Sequence, residues 1–457
     1  MSTLIINPAA FWACVAYVVV VTAVAGWAIK RRQLSLVEPL SQFLIFNSLF
    51  TLPLAIRVVF TNKIEGNVSP FLLDFVDYIP ISVVFSAIAV LMFTVGYYTR
   101  IPQTIAGYIP TIETRSARRS IIAAAIIAAI SLAMIAALAG GPHQIGDLLL
   151  HGYGITKVMV NNALFAVGFG WLFVAVMFLF VAYAISGNKI VLAVAILALM
   201  ADLALNVVIA RRAEILYILA CFGTFFLLKI YRFKARTIIA FVLVGFLALN
   251  LLGVTRGSGY NDFGDFVAKT SSKLQQRLIN PGSSFFYTLT VGEFVAPFET
   301  LPQIVKSTST DTSYKFGKTY LESPLFLVPR AIWADRPETI AHWYVRKYYG
   351  QEGSLEIGRQ FFWLSEAYLN FGVFGVVFIS LLFGAMWRTL YEWLKSSNFD
   401  PGAALIYALS VGFMFKAISG SMVSVLAALP KNSIGIAIIG LLIAGTTASI
   451  FNKPQEQ

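Results

Sequence analysis

Arg211 and Arg212 break an apolar run between Asn206 and Leu216, with Glu214 as the one acid close by. Arginine at the edge of an apolar segment is costly unless it is paired or snorkels to the interface. Its planar fork of donors suits a phosphate, so a lipid pyrophosphate clamp is one use of this pair. An interfacial anchor or a structural ion pair is the other. A second candidate is the run from Leu327 to Pro337, where Pro329 and Pro337 bracket Arg330, Trp333, Asp335 and Arg336. Proline fixes φ and stiffens the chain, so both arginines are held and Asp335 can orient one of them. The plainer reading is a rigid surface turn with Trp333 seated in a membrane interface. A third candidate runs from Arg359 through Glu366 and Tyr368 to Gly375. Arg359 and Glu366 are seven apart and share a face on a continuous helix. A carboxyl at an apolar boundary suits general acid or base work, or else a salt bridge to a local arginine.

Other residues carry weaker signals. Glu293 and Glu299 lie on a run, Phe285 to Leu301, with helical spacing, and each could hold an arginine or sugar hydroxyls. A solvated helix face explains them equally well. Asp202 with Asn206, and Lys416 with Ser419 and Ser421, form polar stripes inside apolar blocks. Ionisable residues at membrane depth face a bundle interior or a pathway.

The elements that must position these residues are long apolar blocks. Hydrophobic residues make up 58% of the chain and charged residues 12%, about half the charged share of a soluble domain. Runs of about 20 apolar residues are long enough to cross a bilayer. The expectation is an all-α polytopic membrane protein with eleven spans, near 9–29, 39–58, 77–97, 120–139, 160–184, 189–209, 213–229, 237–254, 368–390, 403–428 and 432–451. The first block lacks a small-residue cleavage site and reads as a retained helix rather than a signal peptide. Residues 1–254 would hold eight spans, 255–367 a large external loop with helical segments, and 368–457 three more spans, all in one integrated membrane domain.

Basic residues sit in short turns: Lys30 to Arg32, Arg100 with Arg115, Arg118 and Arg119, Lys229 to Arg236, and Arg388 with Lys395. That pattern places those turns in the cytoplasm, with the N-terminus outside and the C-terminus inside. It also explains the net charge of +12 without nucleic acid. The stretch 255–367 differs, with 12 Lys+Arg against 11 Asp+Glu. A loop of that length is expected to be folded and functional. Its aromatic-rich part, 330–349, suits an interfacial layer or a sugar-stacking surface.

Cys14 and Cys221 lie inside apolar blocks and suggest neither a disulfide framework nor a metal cluster, and His143, His151 and His342 are scattered. There is no phosphate-loop lysine motif and no dinucleotide fingerprint. The cluster Gly253 to Gly259, which includes Arg256, reads as a flexible exit from a span.

With these motifs in hand, the chain resembles the bacterial oligosaccharide repeat-unit polymerases that make O-antigen and enterobacterial common antigen. The resemblance lies in the multi-span layout, the late external loop and three motifs. These are Ala210-Arg211-Arg212-Ala213, the run Pro329 to Pro337, and Ser365-Glu366-Ala367-Tyr368-Leu369-Asn370-Phe371-Gly372. It implies a GT-C-like fold related to the O-antigen ligases, in the bacterial inner membrane. It implies transfer of a growing glycan from undecaprenyl pyrophosphate to a lipid-linked acceptor at the periplasmic face, without cofactor or metal. A chain-length regulator of the co-polymerase type is an expected partner. Carried over by motif, Arg212 and Arg336 form the clamp; Arg211, Arg256, Arg330 and Arg359 are further candidates for binding the substrate. Glu366 or Asp335 acts as base, Glu299 precedes the Pro-rich segment, and Tyr368 and Trp333 contact the glycan. Lys416 and the Ser419 to Ser421 stretch depart from the arginine that the family often keeps there. A ligase acting on lipid A core, to which His342 is relevant, a precursor transporter using Asp202 and Lys416, and a scaffolding subunit are the rival readings.

Overall fold

The structure is a computed structural model that describes residues 6–31, 34–62, 75–139, 163–208, 211–230, 268–269, 271–272, 275, 295–328, 332–333, 335–349 and 360–449. The expected span 237–254 lies outside them, as do Arg256, Glu293, Arg330 and Arg359. Helices run over α1 Pro8–Lys30, α2 Pro39–Thr61, α3 Ile79–Tyr98, α4 Ile101–Tyr108, α5 Ala117–Ala139, α6 Ala163–Ser186, α7 Lys189–Val208 and α8 Arg212–Lys229. They continue as α9 Ala296–Thr308, α10 Lys318–Glu322, α11 Ile340–Tyr349, α12 Trp363–Ser396, α13 Pro401–Gly412, α14 Met414–Ser419 and α15 Gly435–Ile443. One antiparallel ribbon, β1 Thr111–Glu113 with β2 Thr447–Ser449, pairs Ile112 with Ala448.

Among the described residues, nine helical segments are long and apolar enough to cross a membrane. Their surfaces say the same. Leu197 on α7 is 70% exposed and Phe374 on α12 is 85% exposed, beside Ile190, Met200 and Phe378. In water such faces would be association sites; against lipid tails they are at rest. The protein is an all-α, multi-pass membrane protein.

Three sequence boundaries are corrected. The ninth expected span, 368–390, is part of a longer helix, Trp363–Ser396. Glu366 therefore sits in the first helical turn rather than ahead of it, where the N-terminal end favours an anion. Arg388, read as part of a basic turn, is inside that helix and buried. The last two spans fall at Pro401–Ser419 and Ser424–Ile443. Asp400 starts the first of these by accepting the N–H groups of Gly402 and Ala403, and the helix stops before Gly420 rather than continuing to residue 428. Helix α8 confirms the short helix near 213–229, but Arg212, Glu214 and Lys229 keep it out of the nine.

The chain forms two compact units, each assembled from separate segments. Unit 1 comprises Met1–Ala106, Phe286–Glu392 and Met414–Ala428; unit 2 comprises Gly107–Phe285, Trp393–Phe413 and Leu429–Gln457. In unit 1, α3 and α12 cross backbone to backbone. A Cβ at Gly96 would stand 1.9 Å from the Leu381 carbonyl oxygen, and one at Gly384 would stand 2.0 Å from that of Phe93. Small residues permit this closeness where lipid offers helices no hydrophobic reason to associate. Phe43 stacks on Phe93 at 3.7 Å beside the crossing, and Trp363 on Phe383 at 4.9 Å. In unit 2 the buried Tyr217 hydroxyl bonds the Ser433 hydroxyl at 2.9 Å and the Leu409 carbonyl at 3.2 Å.

Candidate functional site

The polar segment 295–349 belongs to unit 1 and has its own apolar centre. Ile304, Ile340, Tyr344, Val345, Phe361 and Leu369 bury against one another, with Trp343, Tyr348 and Tyr368 packed on them. Helix α9 holds the start of α12. The Thr300 and Ser365 hydroxyls are 2.7 Å apart, and the Phe362 N–H donates to the Thr300 hydroxyl at 3.2 Å. Lys347 on α11 reaches back to Asp311 at 3.4 Å. Burial would raise the Asp311 carboxyl, but the Lys347 charge and the Thr310 and Thr312 hydroxyls outweigh it and leave it below its usual value.

The join between this segment and α12 depends on a break. Gly372 has φ 61° and ψ −142°, inside a run that is otherwise helical. Only glycine adopts that region without strain. Such a break frees the carbonyls of the turn before it, and the polar segment takes them up. The Lys315 N–H donates to the Leu369 carbonyl at 3.0 Å and the Phe316 N–H to the Asn370 carbonyl at 3.1 Å. The Asn370 side chain completes the fastening. Its Oδ1 accepts the Gly317 N–H at 2.9 Å, and its Nδ2 donates to the Thr319 hydroxyl at 2.7 Å and the Glu366 carbonyl at 2.8 Å. Gly372→Ala should therefore cost about 1–3 kcal/mol through the backbone alone. The Tyr314 hydroxyl, 3.1 Å from where the new methyl would lie, adds crowding. Thermal unfolding in detergent reads the loss; an unchanged midpoint would mean the break bears no strain that glycine relieves.

The join brings Glu366 under the polar segment. The residue is 1% exposed. Its Oε2 accepts the Met422 N–H at 2.6 Å, from the stretch where the chain breaks after α14. Its Oε1 is buried and makes no full hydrogen bond among the described residues, although the Thr319 hydroxyl is near enough to interact with the carboxyl. A buried polar atom left in this way requires an explanation, and a cavity of about 150 Å³ supplies one: Glu366 lines it together with Lys315, Lys318, Glu322, Glu338 and Trp343. Lys318 pairs with Glu322 at 3.7 Å, and Arg346 pairs with Glu338. The Lys315 ammonium stands 4.9 Å from the Trp343 ring centre. Tyr320 is packed nearby, and burial, then the Glu366 charge, push its phenol well above the ordinary range. It stays protonated.

The expected site residues are distributed as follows. Arg336 is near the cavity but turned into its wall. It donates to the Val328 carbonyl at 2.8 Å and the Phe326 carbonyl at 3.4 Å, with its guanidinium 5.2 Å from the Phe326 ring centre. Phe326 and Pro337 line the cavity, so Arg336 fastens the chain that shapes it. Asp335 and Trp333 are exposed. Tyr368 is half-buried, its ring 5.3 Å from Phe85 and 6.4 Å from Tyr314. Glu299 is buried on α9. Lys416, on α14, is half-buried.

Arg211, Arg212 and Asp202 belong to unit 2. Arg211 pairs with Glu214 at 3.1 Å, lies 5.8 Å from the Phe169 ring centre, and donates its N–H to the Asn206 carbonyl. Arg212 is the first residue of α8, and its side chain is outside the described ones. Asp202 is buried, and neither of its carboxyl oxygens has a partner among the described residues. Asn206, one turn on, donates to its carbonyl at 2.9 Å.

Lys315, Lys318 and Thr319 were not candidates in the sequence. Lysines in a polar stretch look solvated, and their relation to Glu366 arises only from the Gly372 break. No group of three or more His, Cys, Asp or Glu side chains suited to a metal occurs among the described residues.

These features define a multi-pass membrane protein with a buried carboxyl facing a cavity lined by lysine and glutamate side chains under a folded polar cap. Compared with protein-family models, curated proteins and solved structures, the chain matches none.

Proposed function

We propose that this protein is a membrane glycosyltransferase that polymerises oligosaccharide repeat units carried on undecaprenyl pyrophosphate. The observation that carries the reading is the Glu366 oxygen at the cavity wall, which makes no full hydrogen bond among the described residues. A carboxylate there can take the proton of an acceptor hydroxyl. The acceptor oxygen then bonds to the donor's anomeric carbon, the bond to pyrophosphate breaks, and the electron pair leaves with the phosphate. Direct displacement inverts the anomeric centre. Lys318, whose exposed pairing to Glu322 is a weak one, offers positive charge to the leaving group at the rim.

The same reading makes the fold GT-C-like and related to the O-antigen ligases. It puts the polar cap on the periplasmic side of a bacterial inner membrane, with the basic turns in the cytoplasm. A co-polymerase would set chain length. A second reading, a transporter of polysaccharide precursors, is favoured by the buried Asp202, whose carboxyl makes no hydrogen bond among the described residues, since such residues mark pathways.

Purified full-length protein given one lipid-linked repeat unit, with no nucleotide or metal added, should build a ladder of longer lipid-linked glycans. Transfer only onto lipid A core would replace the polymerase reading with a ligase. Substrate movement across vesicles without a new glycosidic bond, abolished by Asp202→Asn, would replace it with transport.

A further inference from the structure

The charges around the unit 1 cavity do not all cancel locally. Lys318 is matched by Glu322, and Glu338 by Arg346. Two groups of opposite sign remain: the Lys315 ammonium, which has no acidic partner within ion-pair distance among the described residues, and the buried Glu366 carboxyl with its open Oε1. Lys315 is held in place. Its backbone N–H is bonded to the Leu369 carbonyl, and its ammonium is drawn to the Trp343 face. The volume sets the size of the guest. About 150 Å³ is the scale that admits a single six-membered ring such as benzene.

A guest that satisfies both groups presents an anion to Lys315 and a hydroxyl proton to Glu366, on one ring. We propose that the acceptor's terminal residue is an acidic sugar of the uronic acid class, its carboxylate held by Lys315 while the hydroxyl to be glycosylated meets Glu366. This rests on the glycosyl-transfer reading above and names the substrate class of that site. A carboxylate on a pyranose ring is small and planar, and an ammonium meets it with a charge-assisted hydrogen bond. The polymer then carries an acid in every repeat.

Binding tests this without turnover. The full chain in detergent micelles is titrated with a methyl uronide, the matching neutral methyl hexoside and inorganic pyrophosphate, with saturation-transfer NMR as the readout. The uronide should bind in preference to the hexoside. Lys315→Gln should weaken uronide binding by about tenfold or more, the scale of one hydrogen bond to a charged group. It should leave the hexoside unchanged, and Lys315→Arg should restore the uronide. Equal binding of uronide and hexoside overturns the proposal. So does pyrophosphate binding that depends on Lys315, which would give that lysine to the donor instead. If uronide binding follows this pattern while no ladder forms in the polymerisation assay, the glycosyl-transfer reading falls and the acidic-sugar site stands.

Discussion

Glu366→Gln is expected to reduce ladder formation by about 10²–10⁴-fold, the range for loss of a positioned general base, with the protein still folded and in the membrane. The amide keeps the carboxyl's shape. Its oxygen can still accept the Met422 N–H that Oε2 accepts at 2.6 Å, so the chain break after α14 keeps its fastening. What is lost is the ability to take a proton at the cavity wall. Oε1 makes no full hydrogen bond to the described residues, and the Thr319 hydroxyl that interacts with the carboxyl can turn to the amide oxygen, so unchanged thermal unfolding of the Gln variant separates a chemical effect from a structural one. The loss should fall on kcat more than on KM, since a group acting in the transition state lowers the rate and leaves ground-state binding. Asp335→Asn is the matched control: Asp335 is exposed, and its substitution should leave the rate within a few fold. A Gln variant that builds ladders at the normal rate would remove Glu366 from the chemistry. Full loss in the Asp335 variant would move the base to the Pro-rich segment.

Much of the architecture was legible because lipid imposes a coarse rule. A helix must be apolar for about 20 residues to span, and the blocks near 9–29, 39–58, 77–97, 120–139, 160–184 and 189–209 each meet it and each appear as helices. The late boundaries were less legible because hydropathy does not register a backbone break. Gly420 interrupts an apolar run with only a brief dip in its hydropathy, and Gly372 sits within a helix that simply continues past it. Glu366 was legible as an acid at an apolar boundary. Its companions were not. Lys315 and Lys318 reach it through the turn at Phe316 and Gly317, both with positive φ, and through Asn370, whose three hydrogen bonds no spacing rule anticipates. Arg336 was legible as an arginine held in place, but not in what holds it. Its setting between prolines suggested an anion clamp, yet its donors meet the Phe326 and Val328 carbonyls. A guanidinium serves orphaned carbonyls as readily as phosphates, and sequence does not distinguish the two.

Arg388→Met should be the most destabilising of the substitutions considered, at about 3–5 kcal/mol, the usual cost of stripping one partner from a buried ion pair. Arg388 is 6% exposed, as is Glu38 at the start of α2. Its Nη2 lies 2.5 Å from Glu392 Oε1 and its Nη1 3.9 Å from Glu38 Oε2. The Tyr97 and Tyr391 hydroxyls donate to Glu38 at 3.2 and 3.5 Å, and the rings of Tyr97 and Tyr391 stand 4.8 and 5.3 Å from the guanidinium. One cation thus sits against one buried and one half-buried acid and ties the start of α2 to the ends of α3 and α12. Methionine fills similar volume and takes that cation away from both acids. Glu38→Gln should cost less, because Glu392 still holds the arginine. If the three groups act as one unit, the double variant Glu38→Gln with Arg388→Met should be less damaged than the sum of the singles, a coupling of the kind that adjoining charges show. Thermal midpoints in detergent across that cycle decide the matter, and additive singles would mean that Glu38 draws nothing from the arginine. Activity per folded molecule should survive in all three variants, because the cluster holds helix ends together and shares no residue with the Glu366 cavity. That is the converse of the Glu366→Gln result, in which the fold survives and the activity does not.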